Sequence, residues 1–233
     1  MLKELKKSIL RPDKLPHPKS EKEKEPTSIL MNEKRQKILQ HIFKFPCIHL
    51  HGIARNFGFS INATRWHIRK LKHVGYIDEF NLGHRKVYFP NKSLSDVDIK
   101  ILGVLNDKKI EELYTEILKI PGITQKELYE RLNKKQSTIA DNLALLENHK
   151  LINSRKDGLY RRYYATSIIT NREKATRKPM KKYRRFLIQT LERDGVEPEI
   201  LRSTDKNFHI RIRSGKGKSE LIFYFTPYDR FMI

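Results

Sequence analysis

Apolar positions along this chain fall into a pattern that occurs twice. Shifting the sequence by 75 residues lays residues 39–89 on residues 114–164 without a gap. Ile42 meets Ile117, Pro46 meets Pro121, Ile48 meets Ile123, Ile53 meets Leu128 and Phe57 meets Leu132. Farther along, Ile68 meets Leu143, Leu71 meets Leu146, Ile77 meets Ile152, Gly83 meets Gly158 and Tyr88 meets Tyr163. These coincidences are spread over three segments of helical period and one hairpin, so they predict two copies of one small domain rather than a single biased stretch.

In the first copy the periods predict helices over residues 33–44, 50–56 and 60–73, then short strands over 76–79 and 86–89 around Gly83. This order is the winged form of the helix-turn-helix, whose third helix enters the major groove of DNA. Ser60 can cap that helix, Thr64, Ile68 and Leu71 make its inward stripe, and Gly75 can stop it. A step of about 100° per residue then puts Asn62, Trp66, Arg69 and His73 outermost, with Arg65 and Lys70 on the flanks and no acid among them. The predicted wing, His84, Arg85 and Lys86 beside Gly83, suits phosphate or minor-groove contact.

The second copy keeps the pattern and changes the surface. Arg65 becomes Ala140, Trp66 becomes Asp141, Arg69 becomes Ala144 and His73 becomes Asn148. Two alternatives stay open for this helix. It reads bases weakly from its N-terminal end through Lys134, Lys135, Gln136 and Ser137, or its outer face docks a protein. The second wing favours continued DNA contact, because Arg155, Lys156, Arg161 and Arg162 surround Asp157 and Gly158.

The expected architecture is mainly α with small β (α+β): two tandem winged helix-turn-helix domains joined by a helix, plus a small C-terminal α-β-β-β unit. The boundaries are an N-terminal arm over residues 1–32, domains over 33–92 and 107–170, a connecting helix within 93–106 and the last unit over 171–233. The arm is rich in Lys, Glu and Pro and is expected to be mostly disordered, with a minor-groove arm as the alternative. Val97, Ile101, Val104 and Leu105 are expected to form the packed face of the connecting helix. Pro179 is placed near a helix start, with Met180, Tyr183, Leu187, Thr190 and Leu191 as its inward stripe. Strands are expected over 199–202, 207–213 and 220–226, with Phe208, Ile210 and Ile212 facing in.

Charge sharpens this picture. The chain of 233 residues carries a net charge of +22, so a polyanionic partner is expected. Residues 33–95 hold 12 bases and 3 acids, residues 96–170 hold 13 and 11, and residues 171–233 hold 16 and 8. The first copy and the C-terminal region should therefore meet phosphate more heavily than the second copy. A single cysteine, Cys47, excludes an intramolecular disulfide and a multi-cysteine zinc site. His41, Cys47, His49 and His51 are the one cluster that invites a metal, but Gly122 and Thr124 at the repeated positions make no such demand. No cofactor is expected. The string from Gly215 to Ser219 is no P-loop, since Ile212 stands where its first glycine belongs and the string lies in a hairpin. No catalytic constellation or signal segment is visible, and a soluble, intracellular, nucleoid-associated protein is expected.

Two stretches carry a family resemblance: Ala63 to Ile77, reading Ala-Thr-Arg-Trp-His-Ile-Arg-Lys-Leu-Lys-His-Val-Gly-Tyr-Ile, and Pro121 to Leu132, reading Pro-Gly-Ile-Thr-Gln-Lys-Glu-Leu-Tyr-Glu-Arg-Leu. Over residues 33–166 the chain resembles the archaeal tandem winged-helix transcription regulators, relatives of the MarR and ArsR classes. Within them it looks most like the group of the euryarchaeal archaellum regulator and a factor that recruits transcription factor B. The resemblance implies a regulator that binds double-stranded promoter DNA and can contact transcription factor B or RNA polymerase. A tandem winged-helix initiation factor acting mainly through protein contacts is the rival reading, and a small-molecule sensor a third, although the sequence marks no ligand domain. One chain would then span two neighbouring grooves as a pseudo-dimer.

Overall fold

The computed structural model describes residues 28–215 and 217–232, the side chains of 178–181 excepted. Copy one is built from helices α1 (Glu33–Lys44), α2 (Leu50–Phe57) and α3 (Ile61–Val74) and strands β1 (Ile48–His49), β2 (Ile77–Leu82) and β3 (Arg85–Pro90). A helix, α4 (Asp96–Leu105), leads into copy two: α5 (Lys108–Lys119), β4 (Ile123–Thr124), α6 (Gln125–Leu132), α7 (Gln136–Asn148), β5 (Ile152–Asp157) and β6 (Tyr160–Ala165). In each copy the middle strand of an antiparallel sheet is the second wing strand, in the orders β1-β3-β2 and β4-β6-β5. The two-residue strands β1 and β4 are too short to leave a periodic trace in the sequence. The wing strands run longer than expected because pairing continues to the turn, Leu82 opposite Arg85 and Asp157 opposite Tyr160.

The repeat extends to the backbone. Left-handed residues sit at Cys47 and Gly122, Gly58 and Asn133, Gly75 and Lys150, and Gly83 and Gly158, each pair one repeat apart. Gly75 ends α3 at φ 92 with its N–H on Leu71 and Lys72 carbonyls. Lys150 takes the same left-handed turn at φ 57 after α7, a conformation that costs a residue with a Cβ more than glycine. Thr64, Ile68 and Leu71 are buried as the stripe requires.

After copy two, α8 (Ile168–Arg193) leads to a sheet of β7 (Glu197–Ser203), β8 (Asn207–Ser214) and β9 (Gly217–Tyr224) in that order. Pro179, expected at a helix start, lies in the interior of α8. The helix begins at Ile168 because Thr166 Oγ1 accepts its N–H at 3.4 Å and Ile169 enters the core of copy two. Phe208, Ile210 and Ile212 are buried, and the outward Arg211 bridges Glu199 at 3.1 Å and Glu220 at 2.8 Å.

The C-terminal segment is a clasp across both copies. Its sheet shares a core with copy one, where Phe43 meets Phe223 at 4.5 Å and Tyr183 at 5.3 Å between ring centroids. Gln36 accepts from Ser219 at 2.8 Å and Gln40 from the Ile222 N–H at 3.0 Å. Tyr76 donates to Asp194 at 3.1 Å, while Tyr183 donates to the Tyr76 carbonyl at 2.9 Å. The last turn grips the other side: Tyr228 donates to Asp98 at 2.8 Å and Arg230 lies 3.5 Å from Glu111.

Two local expectations change. Val97 is 50% exposed rather than packed, because α4 is rotated to bury Asp98 beneath Arg172, at 2.7 Å, and Ile99 and Leu102 take the inner face. Burial raises the Asp98 carboxyl, but hydrogen bonds from Arg172, Ser95 and Tyr228 outweigh it and hold the group below its usual range. Within the expected disordered arm, Ser28 caps a 3-10 turn, Ile29–Met31, and donates to Asp194 at 2.6 Å, with Leu30 fully buried. The rest of that arm, residues 1–27, lies outside the described residues.

Candidate nucleic-acid interface

Helix α3 is held by its stripe against α1 and α2, so its opposite side must face outward. Asn62, Arg65, Trp66 and Arg69 are all exposed there, and Lys70 is half-buried. Arg65 donates to Asn62 Oδ1 at 3.1 Å, which fixes two polar side chains near the start of the helix. Trp66 is 43% exposed with Arg35 and Lys70 over its ring at 5.3 and 5.7 Å. A flat apolar ring flanked by cations can stack on sugar or base while its neighbours meet phosphate. His67 turns inward, and burial followed by the charges of Arg35 and Lys34 lowers its pKa.

The first wing and the start of α2 converge on Arg65. His49, His51, Arg65, His84, Arg85 and Lys86 line one groove that holds no acidic side chain. His49 precedes α2 without capping it through its side chain, and burial, Arg85 and Arg55 in that order lower its pKa. The sequence marks His49 and His51 only as members of a cluster that invites a metal, and the structure brings both into this groove instead. The trace was present in the alternation of His49 and His51 at the N-terminus of the helix that supports α3. Lys86 is less free than the sequence suggests: Glu79 sits 2.9 Å from it and 2.7 Å from Lys72. The hydrogen bond from Lys72, more than that from Lys86, holds the Glu79 carboxyl below its usual range.

In copy two half of the corresponding cations are engaged by acids. Lys134 lies 4.0 Å from Glu112, Arg161 lies 3.2 Å from Glu147, and Arg162 lies 2.5 Å from Asp157. Arg162 also donates to the Gly122 carbonyl at 3.0 Å. Arg155 rests over Tyr164 at 5.6 Å, and Lys156, Lys135, Gln136 and Ser137 are exposed. Asp141 is exposed at the position of Trp66. At the wing tip Leu159 and Tyr160 replace His84 and Arg85 and are 98% and 58% exposed.

Among the described residues no group of three or more His, Cys, Asp and Glu side chains is placed to hold a metal ion. His41 packs against Phe45 and Phe57 at 4.9 and 5.2 Å, and Cys47 is buried. No helix among them is long and apolar enough to cross a membrane.

No family model matches the chain. It is similar to an uncharacterised HTH-type transcriptional regulator of Methanocaldococcus jannaschii, 27% identical over 143 residues, which is 60% of this chain. The matched region spans 35% of that relative's length. Among solved structures, an ArsR-like transcriptional regulator from Rhodococcus sp. RHA1 is 24% identical over 41% of this chain and 91% of its own, with a TM-score of 0.37. Reduced HlyU from Vibrio cholerae is 22% identical over 40% of this chain and 82% of its own, with a TM-score of 0.28.

Proposed function

We propose that this chain is a sequence-specific double-stranded DNA-binding transcription regulator, a binding protein and not an enzyme, whose first copy reads the major groove. The observation that carries the reading is the outer face of α3, where Asn62, Arg65, Trp66 and Arg69 stand exposed together beside a groove of histidines and arginines without an acid. Arg69 is assigned a base edge, for which arginine's forked donors suit guanine. Arg85 and His84 are assigned the phosphate backbone beside that groove. The similarity to a helix-turn-helix regulator supports the reading at the level of DNA binding by a regulator. Copy two is assigned an accessory contact through Lys135, Gln136, Ser137, Arg155 and Lys156, all exposed.

Recruitment of transcription factor B is the finer form of the proposal, and its support is the family resemblance. The rival reading, an initiation factor working through contacts with the basal machinery, draws on copy two, whose Asp141, Leu159 and Tyr160 suit a protein better than phosphate. Genome-wide occupancy separates them. A sharp recurrent motif upstream of a few genes is the expected result, whereas occupancy at nearly all active promoters would replace the regulator with the initiation factor.

A further inference from the structure

A cavity of about 410 Å³ lies between the two copies, within the range of about 300–1,000 Å³ that small-molecule sites occupy. Cys47 and Val87 from copy one, Val104 from α4 and Ile110 from α5 give it an apolar floor, and all four are buried. Leu82 and Leu145 flank it. Gly103 helps to shape the wall, since a Cβ there would come within 2.4 Å of the Leu82 side chain.

Its polar groups are unevenly committed. Asp107, the one acid in the lining, accepts the Lys109 N–H at 3.0 Å as the cap of α5. Asn106 donates to the Pro46 carbonyl at 2.7 Å and accepts from Arg230. By contrast, Arg85 and Lys109 have no carboxylate within ion-pair distance among the described residues, and Thr138 and Asn142 of α7 line the same space. His49 also lines it, and burial together with Arg85 favours its neutral form, in which one ring nitrogen can accept a hydrogen bond.

We propose that this cavity binds a small organic anion, a carboxylate with an apolar body, held at its charged end by Arg85 and Lys109 and at its body by Val87, Val104 and Ile110. Such a ligand matches two exposed cations without a carboxylate partner at the edge of an apolar floor, whereas an uncharged one would gain nothing from either. Arg85 lines this cavity and the groove beside α3 alike. A bound carboxylate therefore competes with phosphate for one guanidinium, and this second part rests on the DNA-binding function proposed above.

Calorimetric titration of the full chain with phenylbutyrate, indolepropionate and octanoate, without DNA, tests the site independently of any DNA reading. Saturable binding of at least one carboxylate is expected, with its methyl ester and the Lys109→Gln variant each about tenfold weaker, a loss of roughly 1.4 kcal/mol. Thr138→Trp, which fills the space, should remove binding. Absence of saturation by all three at millimolar concentration, or equal affinity in wild type, Lys109→Gln and Thr138→Trp, overturns the site. Lys109→Gln without ligand should bind DNA as wild type does, and the ligand should weaken wild-type DNA binding several-fold. A saturating ligand that leaves DNA affinity unchanged overturns the coupling through Arg85 while sustaining the site.

Discussion

Copies one and two share a backbone and differ in what they show to solvent. The left-handed positions recur one repeat apart, and the inward residues of α3 and α7 correspond: Thr64, Ile68 and Leu71 against Ile139, Leu143 and Leu146, all buried. The outward residues do not correspond, and neither does the fate of the cations. Glu112, Glu116, Glu147 and Asp157 pair with bases of copy two, whereas in copy one Glu79 alone takes Lys72 and Lys86 among the described pairs. Fold is therefore specified by positions with a backbone or core demand. Recognition is written on positions that the fold leaves free.

The largest expected effect concerns what is shared. Leu71→Ala and Leu146→Ala each remove a fully buried side chain at the same place in the repeat, and each should cost about 2–5 kcal/mol. Denaturant unfolding of the full chain measures both. Costs that differ by most of that range would mean the two cores are not equivalent, which the added sheet behind copy one could cause.

The next effect concerns what differs. Arg69→Ala should weaken a specific site by roughly 1–3 kcal/mol and relax one base position, while the repeat partner is already Ala144. Titrations on matched and mismatched duplexes read this directly, and an equal loss on every sequence would demote Arg69 to a phosphate contact. Conversely, Ala144→Arg together with Asp141→Trp restores on α7 the counterparts of Arg69 and Trp66. Its footprint on the full chain should gain definition on one side. No gain would show that the surface of α7 is not what limits copy two.

Much of this asymmetry was legible in the sequence, because a gapless repeat isolates the exchanged positions and the hydrophobic period says which of them face outward. The helices of copy one were readable for the same reason. The clasp was not. Nothing local in Gln36, Gln40, Phe43 or Tyr76 says that a helix and sheet more than a hundred residues away complete their surroundings, although the repeat partners Glu111, Thr115, Leu118 and Leu151 differ at all four. Ion pairing was equally hidden. Arg161 and Arg162 read as free wing cations until Glu147 and Asp157 are placed beside them. Val97 misled because an apolar residue in the first turn of α4 fits the period, while the buried Asp98–Arg172 pair sets the actual phase.

Pairing yields the third expectation. Arg85→Ala should flatten the salt dependence of DNA binding by about 0.9 in the logarithmic slope, the release of one counterion. Arg161→Ala at the second wing should change it less, since Glu147 already neutralises that guanidinium at 3.2 Å. Equal changes across a salt series would mean that the copy-two wing sheds its acid on binding and that the two wings act alike.

The smallest effect separates the copies by pH. Three histidines of copy one, His41, His49 and His67, have lowered pKa values with burial as the leading cause, against His149 in copy two. His41 is lowered to about 4, by burial and then by Lys44, and its Nε2 is buried without a hydrogen-bond partner. The unfolded chain therefore binds a proton at His41 before the folded chain does, and stability falls as pH drops from the ordinary histidine value of 6.5 towards about 4. Its repeat partner is Glu116, whose carboxyl is held low by Lys119 first and Arg131 second, so its contribution is present above the ordinary value of 4.5 and is lost only below it. Copy one, with three such histidines, should thus loosen more over this window than copy two, which has His149. Hydrogen exchange at pH 7 and pH 5.5 should show protection falling in α1 and α2 more than in α5 and α6, as expected when a buried imidazole must charge. In His41→Leu, which keeps an apolar contact with Phe45 and Phe57, part of that fall in α1 and α2 should disappear. An unchanged fall would assign the acid sensitivity of copy one to His49 and His67 instead, and an equal fall in both copies would remove the histidines as its source.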